Sequence, residues 1–260
     1  MSGETKFGER ILHVKPSAAR IIRRAILFLI PAVGLVGLGI TGFLRPDILD
    51  MQGEEWMVPV LLGAGLLYFV FMIFFLKPYE AVVYAQGLEY KRRGANFKQI
   101  AFSDLDITDA IERSYIFMVI PFRRVRRISL DGVHTFYRSN TPNFHHFANT
   151  LVATHREYLV KDLTPENINQ AAISFGPMLK LRDGKLMFNE SSKKEKIIPL
   201  GDVFSVEVFN AGAGNDLIAL KGAPDEGGRS KDLFTITATS ISNLEVLEYV
   251  IEVGSKEEKP

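Results

Sequence analysis

Two uncharged apolar runs constrain the folding of this chain more than any other feature. The first covers residues 25–44 and the second covers residues 56–76, with one polar stretch, residues 45–55, between them. A hydrocarbon core of about 30 Å needs roughly 20 helical residues at about 1.5 Å each, and each run has that length. The sequence therefore predicts a two-helix transmembrane hairpin over residues 25–76.

The distribution of charge around the two runs predicts how the hairpin is oriented. Residues 1–24 carry six Lys or Arg against two Glu, whereas residues 45–55 carry one Arg against four acidic residues. Lys and Arg collect on the cytoplasmic side of membrane spans. We therefore expect residues 1–24 to be a basic cytoplasmic leader, and both termini of this two-pass protein of the plasma membrane to lie in the cytoplasm.

Small residues mark one face of each predicted span. They are Gly34, Gly37 and Thr41 in the first span, and Gly63 and Gly65 in the second. Small residues allow helix backbones to approach closely in lipid. The two helices pack on each other in one interpretation, and dock onto further spans or onto a second copy in the other. The runs contain no ionisable side chain except Tyr68, which argues against transport by this chain alone.

After the second run, the pattern changes to short alternating segments that are followed by an amphipathic helix, and this order occurs twice. The first set has a turn at Gln86-Gly87 and a helix that begins near Thr141 and ends near Leu163. The second set ends in a helix over residues 242–253, where Ser242 and Glu245 have capping-box spacing. We expect domains at residues 78–163 and 166–254, and a disordered tail at 255–260. Other strands of the first set are predicted at residues 97–102, 107–112, 115–120, 125–130 and 135–137.

This layout resembles bacterial membrane proteins that carry a two-helix hairpin followed by pleckstrin-homology-like (PH-like) domains. The resemblance rests on the hairpin, on VVYAQGLEY, on IAFSDLDITD and on the closing helix TPNFHHFANTLVATHREYLV. It implies a membrane α hairpin plus an α+β, mainly β region that forms two tandem PH-like barrels, each closed by a C-terminal helix. It also implies the bacterial inner membrane as the location, and members of such families are mostly of unknown function.

Two basic clusters in the first repeat are the strongest candidate binding site. The region 77–162 has a net charge of about +4 and the region 166–260 of about −4. The basic half would lie next to an anionic leaflet, which attracts each cation by about 1 kcal/mol. Four interpretations stay open: general attraction to anionic lipid or to an acidic partner, a specific pocket for a lipid head group, a solvated strand edge, and ion pairs between the two repeats. The candidate residues are Lys91, Arg92, Arg93, Arg123, Arg124, Arg126 and Arg127.

Nothing in the sequence forms a recognisable catalytic or metal-binding motif. His145, His146 and His155 point in different directions on one helix, and cysteine is absent, so neither a metal site nor thiolate chemistry is expected. We expect no cofactor, no enzyme activity and no nucleic-acid partner. The predicted function is a membrane-anchored binding or scaffold protein that presents two domains to membrane lipid or to a protein partner. The alternative is an accessory or assembly subunit that docks through its helices onto a larger membrane complex.

Overall fold

The structure, a computed structural model, describes residues 6–45, 56–75, 79–92, 94–116, 120–138, 140–188, 196–210, 216–226 and 228–254. Within these ranges, the chain forms fourteen strands, arranged in four small antiparallel sheets, and five helices. Residues 46–55 of the polar stretch, Arg93 and the tail 255–260 lie outside the described residues.

The first sheet takes its edge strand from the N-terminal segment. Its strands, in spatial order, are β1 (Arg10–Val14), β2 (Tyr79–Tyr84), β3 (Gly87–Arg92) and β4 (Lys98–Ala101). β1 pairs antiparallel with β2, which places Val14 opposite Ala81. The predicted leader, residues 1–24, therefore contains a strand of the first sheet and the start of a helix.

Two helices lie between β1 and β2 in the chain. They are α1 (Ala18–Leu44) and α2 (Met57–Phe75), which pack on each other. No helix among the described residues is both long enough and apolar enough to cross a membrane. The predicted transmembrane hairpin at residues 25–44 and 56–76 is therefore wrong, as is the two-pass location in a bacterial inner membrane with cytoplasmic termini.

The bounds of the helices differ from those of the two apolar runs, since α1 begins before the first run and α2 falls within the second. α1 begins at Ala18, ahead of the first run, and so includes Arg20, Arg23 and Arg24. α2 has 19 residues and is about 29 Å long, slightly less than a hydrocarbon core of about 30 Å.

A three-stranded sheet and a helix complete the first unit of the molecule. The sheet has the order β5 (Ile107–Ile116), β6 (Ile120–Leu130), β7 (His134–Tyr137), and helix α3 (Phe144–Val160) follows it. β5 is one continuous strand, where separate strands at 107–112 and 115–120 are predicted. We call the part from β1 to α3 the first unit. Its core lies between its two sheets and α3, and its largest fully buried side chains are Tyr90, Phe102, Phe136, Phe147, Leu88, Ile128, Leu130 and Leu151.

The rest of the chain forms the second unit, which again has a four-stranded sheet, a three-stranded sheet and a closing helix. A short helix, α4 (Pro165–Ile168), leads into a sheet of β8 (Ile173–Ser174), β9 (Leu179–Arg182), β10 (Lys185–Phe188) and β11 (Lys196–Pro199). A three-stranded sheet of β12 (Ser205–Asn210), β13 (Asp216–Pro224) and β14 (Ser230–Thr237) follows, and helix α5 (Leu244–Gly254) ends the unit. Its core is separate from that of the first unit but takes in Ala110 from β5.

None of the four sheets closes into a barrel, so the predicted pair of PH-like barrels is wrong. Between the two sheets of each unit, the chain makes a 3-10 turn, at Phe102–Asp104 in the first unit and at Leu200–Asp202 in the second. Among the described residues, no hydrogen-bonded ladder crosses these turns from one sheet to the other. Each unit is therefore two separate sheets packed with a helix.

Candidate functional site

The two units meet along a seam, which we define as the contact between β5 and the segment Ala238–Glu245 that leads into α5. Asn243 is its central residue. Its backbone N–H donates to the carbonyl oxygen of Ile107 at 2.7 Å, and its side-chain oxygen accepts from the N–H of Ile107 at 3.1 Å. Its side-chain nitrogen donates to Oδ1 of Asp106 at 3.1 Å. Asn243 thus bonds to the free edge of β5 much as a neighbouring strand would.

Further contacts extend the seam on both sides of Asn243. The hydroxyl oxygens of Thr108 and Ser242 share a buried hydrogen bond of 3.2 Å. The guanidinium of Arg124, on β6, donates to Oδ1 of Asp216, which is buried at the start of β13. Because hydrogen bonds, an ion pair and the packing of Ala110 act together, the two units form one connected body.

A second arginine lies beside the seam in a charged cluster. The Nε of Arg126 donates to Oδ1 of Asp109 at 2.8 Å, and one of its Nη atoms donates to Oδ1 of Asn149 at 2.7 Å. The hydrogen bonds to Asp109 raise the pKa of Arg126. Next to them, a cavity of about 70 Å³ is lined by Asp109, Arg156 and Glu245. Burial raises the pKa of Glu245, and the charge of Arg156 opposes that rise.

The other predicted basic residues of the first unit are also engaged within the chain. Lys91 Nζ lies 3.2 Å from Oε2 of Glu80, and Arg127 Nη1 lies 2.8 Å from Oε2 of Glu112. The guanidinium of Arg92 lies 5.4 Å from the ring centroid of Tyr79. Arg93 and the side chain of Arg123 are outside the described residues. The described members of the predicted basic cluster are therefore spread over separate contacts, of which the Arg124 ion pair joins the two units and the Arg126 ion pair lies beside the seam.

The second unit presents an open surface that we call the outer sheet face. Residues paired across antiparallel strands share a face, and the buried face of this sheet carries Leu179, Leu181, Leu186, Phe188 and Ile198. The opposite face shows three basic side chains beside apolar ones. The outer sheet face comprises Ser174, Lys180, Arg182, Lys185, Met187, Ile197 and Pro199.

A groove of about 420 Å³ runs along this face beside the edge strand β8. Ile173, Met178 and Met187 supply its apolar lining, and Lys180 and Arg182 supply its charge. β8 has only two residues, so the edge of the sheet is left largely uncovered. The volume falls within the range of about 300–1,000 Å³ that is usual for ligand pockets.

One loop joins the groove to the seam. The carbonyl oxygen of Phe175 accepts a hydrogen bond of 3.0 Å from the N–H of Ser242, and Pro177 and Met178 line the groove. Gly176, between them, has φ +96°, and a Cβ there would lie 3.1 Å from the carbonyl oxygen of Ser240. This position requires glycine because of both its backbone conformation and the close approach.

The corresponding face of the first unit is covered. Phe7 packs with Val82 and Tyr84, and all three are buried. A Cβ on Gly87 would lie 2.7 Å from the ring of Phe7, so the covering residue leaves no room for a side chain there. Glu80 pairs with both His13 and Lys91, at 3.0 and 3.2 Å. The open outer sheet face is therefore specific to the second unit.

The histidines and the small residues of the helices take different positions. His155 is buried, and its Nε2 lies 3.3 Å from the carbonyl oxygen of Phe102, while His145 and His146 are exposed. In the described part of the chain, no three His, Cys, Asp or Glu side chains are grouped so that they could hold a metal.

Among the glycines named from sequence, Gly65 is the one at which an added Cβ would clash within the helix pair. A Cβ on Gly65 would lie 2.8 Å from Val36, whereas a Cβ on Gly34, Gly37 or Gly63 would meet no atom within 4 Å. Thr41 is partly buried. A groove of about 380 Å³ with apolar lining, which includes Gly37, runs along the helix pair.

Sequence reasoning missed the outer sheet face and the seam. The alternation of Lys180, Arg182, Lys185 and Met187 with buried residues is visible in the sequence and would have indicated a basic strand surface. The pairing of Asn243 with Ile107 joins residues 136 positions apart and leaves no local signal.

Comparison with known proteins identifies a family of unknown function. The family model described as "Family of unknown function (DUF6585)" matches residues 1–260. No curated protein matches the chain. The resemblance to hairpin-bearing PH-like membrane proteins is therefore wrong, because the match that covers the whole chain is to a different family.

Proposed function

We propose that the chain, which belongs to the DUF6585 family, is a non-enzymatic binding protein that holds a protein partner on the outer sheet face of its second unit. The observation that carries this proposal is the open groove of about 420 Å³ on that face. The equivalent face of the first unit is covered by Phe7 and by ion pairs within the chain. This type of sheet can therefore form without an open face, so the groove is not a requirement of the fold.

The seam supports a scaffold role. Asn243 and the Arg124–Asp216 ion pair fasten the units to each other, so a partner on the second unit is held at a fixed position relative to the first. Ion pairs of the first unit's basic residues favour a protein partner over anionic lipid. The cations there that the sequence predicts to attract lipid are paired within the chain: Arg124 with Asp216, Arg126 with Asp109, Arg127 with Glu112 and Lys91 with Glu80.

The polar groups of the seam also support binding rather than catalysis. Arg126 is held by Asp109 and Asn149, and the cavity of about 70 Å³ is far smaller than the about 300–1,000 Å³ that is usual for ligand pockets. A catalytic acid or base needs a free group in contact with a substrate. The larger groove is instead lined by methionine, isoleucine and the aliphatic stems of basic residues, which are suited to contact with another protein.

A photo-crosslinking residue in place of Met187 tests the proposal in cells. We expect it to form an adduct with one protein, which also co-purifies with the full chain and is lost from a Met187→Asp variant. The same replacements at Lys231, an exposed position on β14 of the same unit, serve as the matched control. Absence of a protein adduct at Met187, or identical adducts at both positions, would contradict the proposed function.

A second candidate function is that of an assembly subunit that docks through α1 and α2. The apolar groove of about 380 Å³ on this helix pair favours it, together with exposed side chains such as Leu66 and Leu67. A Gly37→Ile variant separates the two candidates. The new side chain would enter this groove and leave the outer sheet face unchanged, so loss of the co-purifying protein in this variant favours the assembly subunit.

A further inference from the structure

We propose that the outer sheet face recognises an acidic peptide segment that carries a large apolar side chain. This inference rests on the proposed function and names the chemistry of the partner. Three basic side chains, Lys180, Arg182 and Lys185, share the face with Met187 and Ile197. No acidic residue occupies an outward position on β9, β10 or β11 among the described residues.

The basic side chains have little compensation within the chain. No described residue forms an ion pair with Lys180 or Lys185. Arg182 lies 3.6 Å from its neighbour Asp183, but both side chains are more than two thirds exposed, at 71% and 81%. Such a pair is well screened by water and contributes little. The three cations are therefore available to carboxylates of a partner.

Repulsion between the cations favours an acidic ligand. Lys185 lies directly opposite Arg182 in the register of β9 and β10. Like charges in directly opposite positions destabilise an antiparallel pair, and their Cβ atoms are about 4.5–5.5 Å apart. A carboxylate placed between them would relieve this repulsion and form charge-assisted hydrogen bonds at the same time.

The groove supplies the apolar half of the site. Met178 and Met187 line it, and Ile197, opposite Met187 on β11, is 51% exposed. Methionine side chains are flexible and polarisable, so they adapt to an inserted leucine or phenylalanine. The described residues of the face include no aromatic side chain, and single-stranded nucleic acid is normally held by stacking on aromatic rings. A peptide therefore fits this face better than a nucleic acid does.

Titration of the full chain with a defined peptide tests the inference. The chain is labelled with carbon-13 at its methionine methyl groups, and the probe is acetyl-Glu-Glu-Leu-Phe-Glu-Glu-amide. We expect the methyl signals of Met178 and Met187 to shift, while that of Met57 on α2 stays in place. Replacing Leu and Phe of the peptide by Ala, or Glu by Lys, should weaken binding at least about tenfold.

Charge reversal in the protein supplies the matched control. Lys180→Glu should weaken peptide binding at least about tenfold, whereas Lys231→Glu, with the same change in net charge, should change it less than about twofold. Equal effects of the two variants, or no shift of the Met187 methyl signal, would overturn the inference. Inorganic phosphate that shifts the same signals with equal affinity would overturn the peptide class. A crosslink at Met187 without peptide binding would leave the proposed function standing and reject only the acidic partner.

Discussion

At the scale of single residues, His155 packs in the core of the first unit and is not part of a metal site among the described residues. It is buried on α3, and its ring makes an edge contact with Phe102 at a centroid distance of 5.1 Å. Its Nε2 also lies 3.3 Å from the carbonyl oxygen of Phe102. Burial disfavours the imidazolium form and lowers the pKa of His155 to about 4. His155 is therefore neutral in the folded chain at neutral pH.

The lowered pKa of His155 predicts that the chain becomes less stable in mild acid. The unfolded histidine has a pKa of about 6.5, so between about pH 6.5 and pH 4 the unfolded chain binds a proton that the folded chain excludes. The free energy of unfolding should fall by up to about 1.4 kcal/mol per pH unit as the pH drops through this window. Urea unfolding at several pH values measures it.

The pH effect of His155 is isolated by comparison with two variants. His155→Gln should lose this part of the pH dependence, whereas His146→Gln, at an exposed position of the same helix, should keep it. The comparison is needed because burial raises the pKa values of Glu245 and Glu248, which changes stability with pH in the opposite direction. Equal slopes for the wild type and His155→Gln would contradict the prediction.

At the scale of elements, local patterns predicted the helix that ends each unit well and long-range pairings poorly. α3 begins at Phe144, close to the predicted cap at Thr141, because its apolar residues recur with helical period. The sequence did not predict β1, because its five residues lie among basic residues and its partner β2 follows only after both helices. Only the folded chain brings two such distant segments together.

The helix pair offers an element-scale prediction based on two glycines. Gly65→Ala on α2 should destabilise the pair, because the new Cβ would lie 2.8 Å from Val36 and 3.3 Å from the carbonyl oxygen of Ala32. Gly37→Ala on α1 meets nothing within 4 Å and should stabilise its helix by about 1 kcal/mol, since alanine has the higher helix propensity. Thermal unfolding followed by far-ultraviolet circular dichroism measures both. A loss of stability at Gly37 equal to that at Gly65 would contradict this packing.

At the scale of the whole molecule, the seam turns two similar units into one body. Each unit has its own buried core, but the second core takes in Ala110 from the first unit. The outer sheet face is connected to the seam through the loop from Phe175 to Met178. Ion pairs between the repeats, such as Arg124 with Asp216, were one interpretation left open from the sequence. The contacts of Asn243 have no local pattern, so the sequence did not predict them.

Replacing Asn243 should uncouple the unfolding of the two units. Asn243→Ala removes the side-chain hydrogen bonds to Ile107 and Asp106, each worth about 0.5–1.5 kcal/mol, and places alanine at φ +55°. Asn143→Ala is the matched control, because Asn143 also precedes a helix at positive φ, 46°, but is exposed and makes no side-chain cap hydrogen bond. The loss of stability in the control measures the cost of placing alanine at a positive φ. The difference in stability loss between the two variants measures the contribution of the side-chain hydrogen bonds of Asn243.

Calorimetry and hydrogen exchange measure whether the two units unfold together or separately. We expect one cooperative transition in the wild type and in Asn143→Ala, and two separated transitions in Asn243→Ala, because the variant loses the hydrogen bonds that hold the edge of β5. Exchange of peptides that contain Leu151 and Val250, one from each core, should become unequal only in Asn243→Ala. If both variants lose the same stability and keep one transition, the side-chain hydrogen bonds of Asn243 do not couple the units.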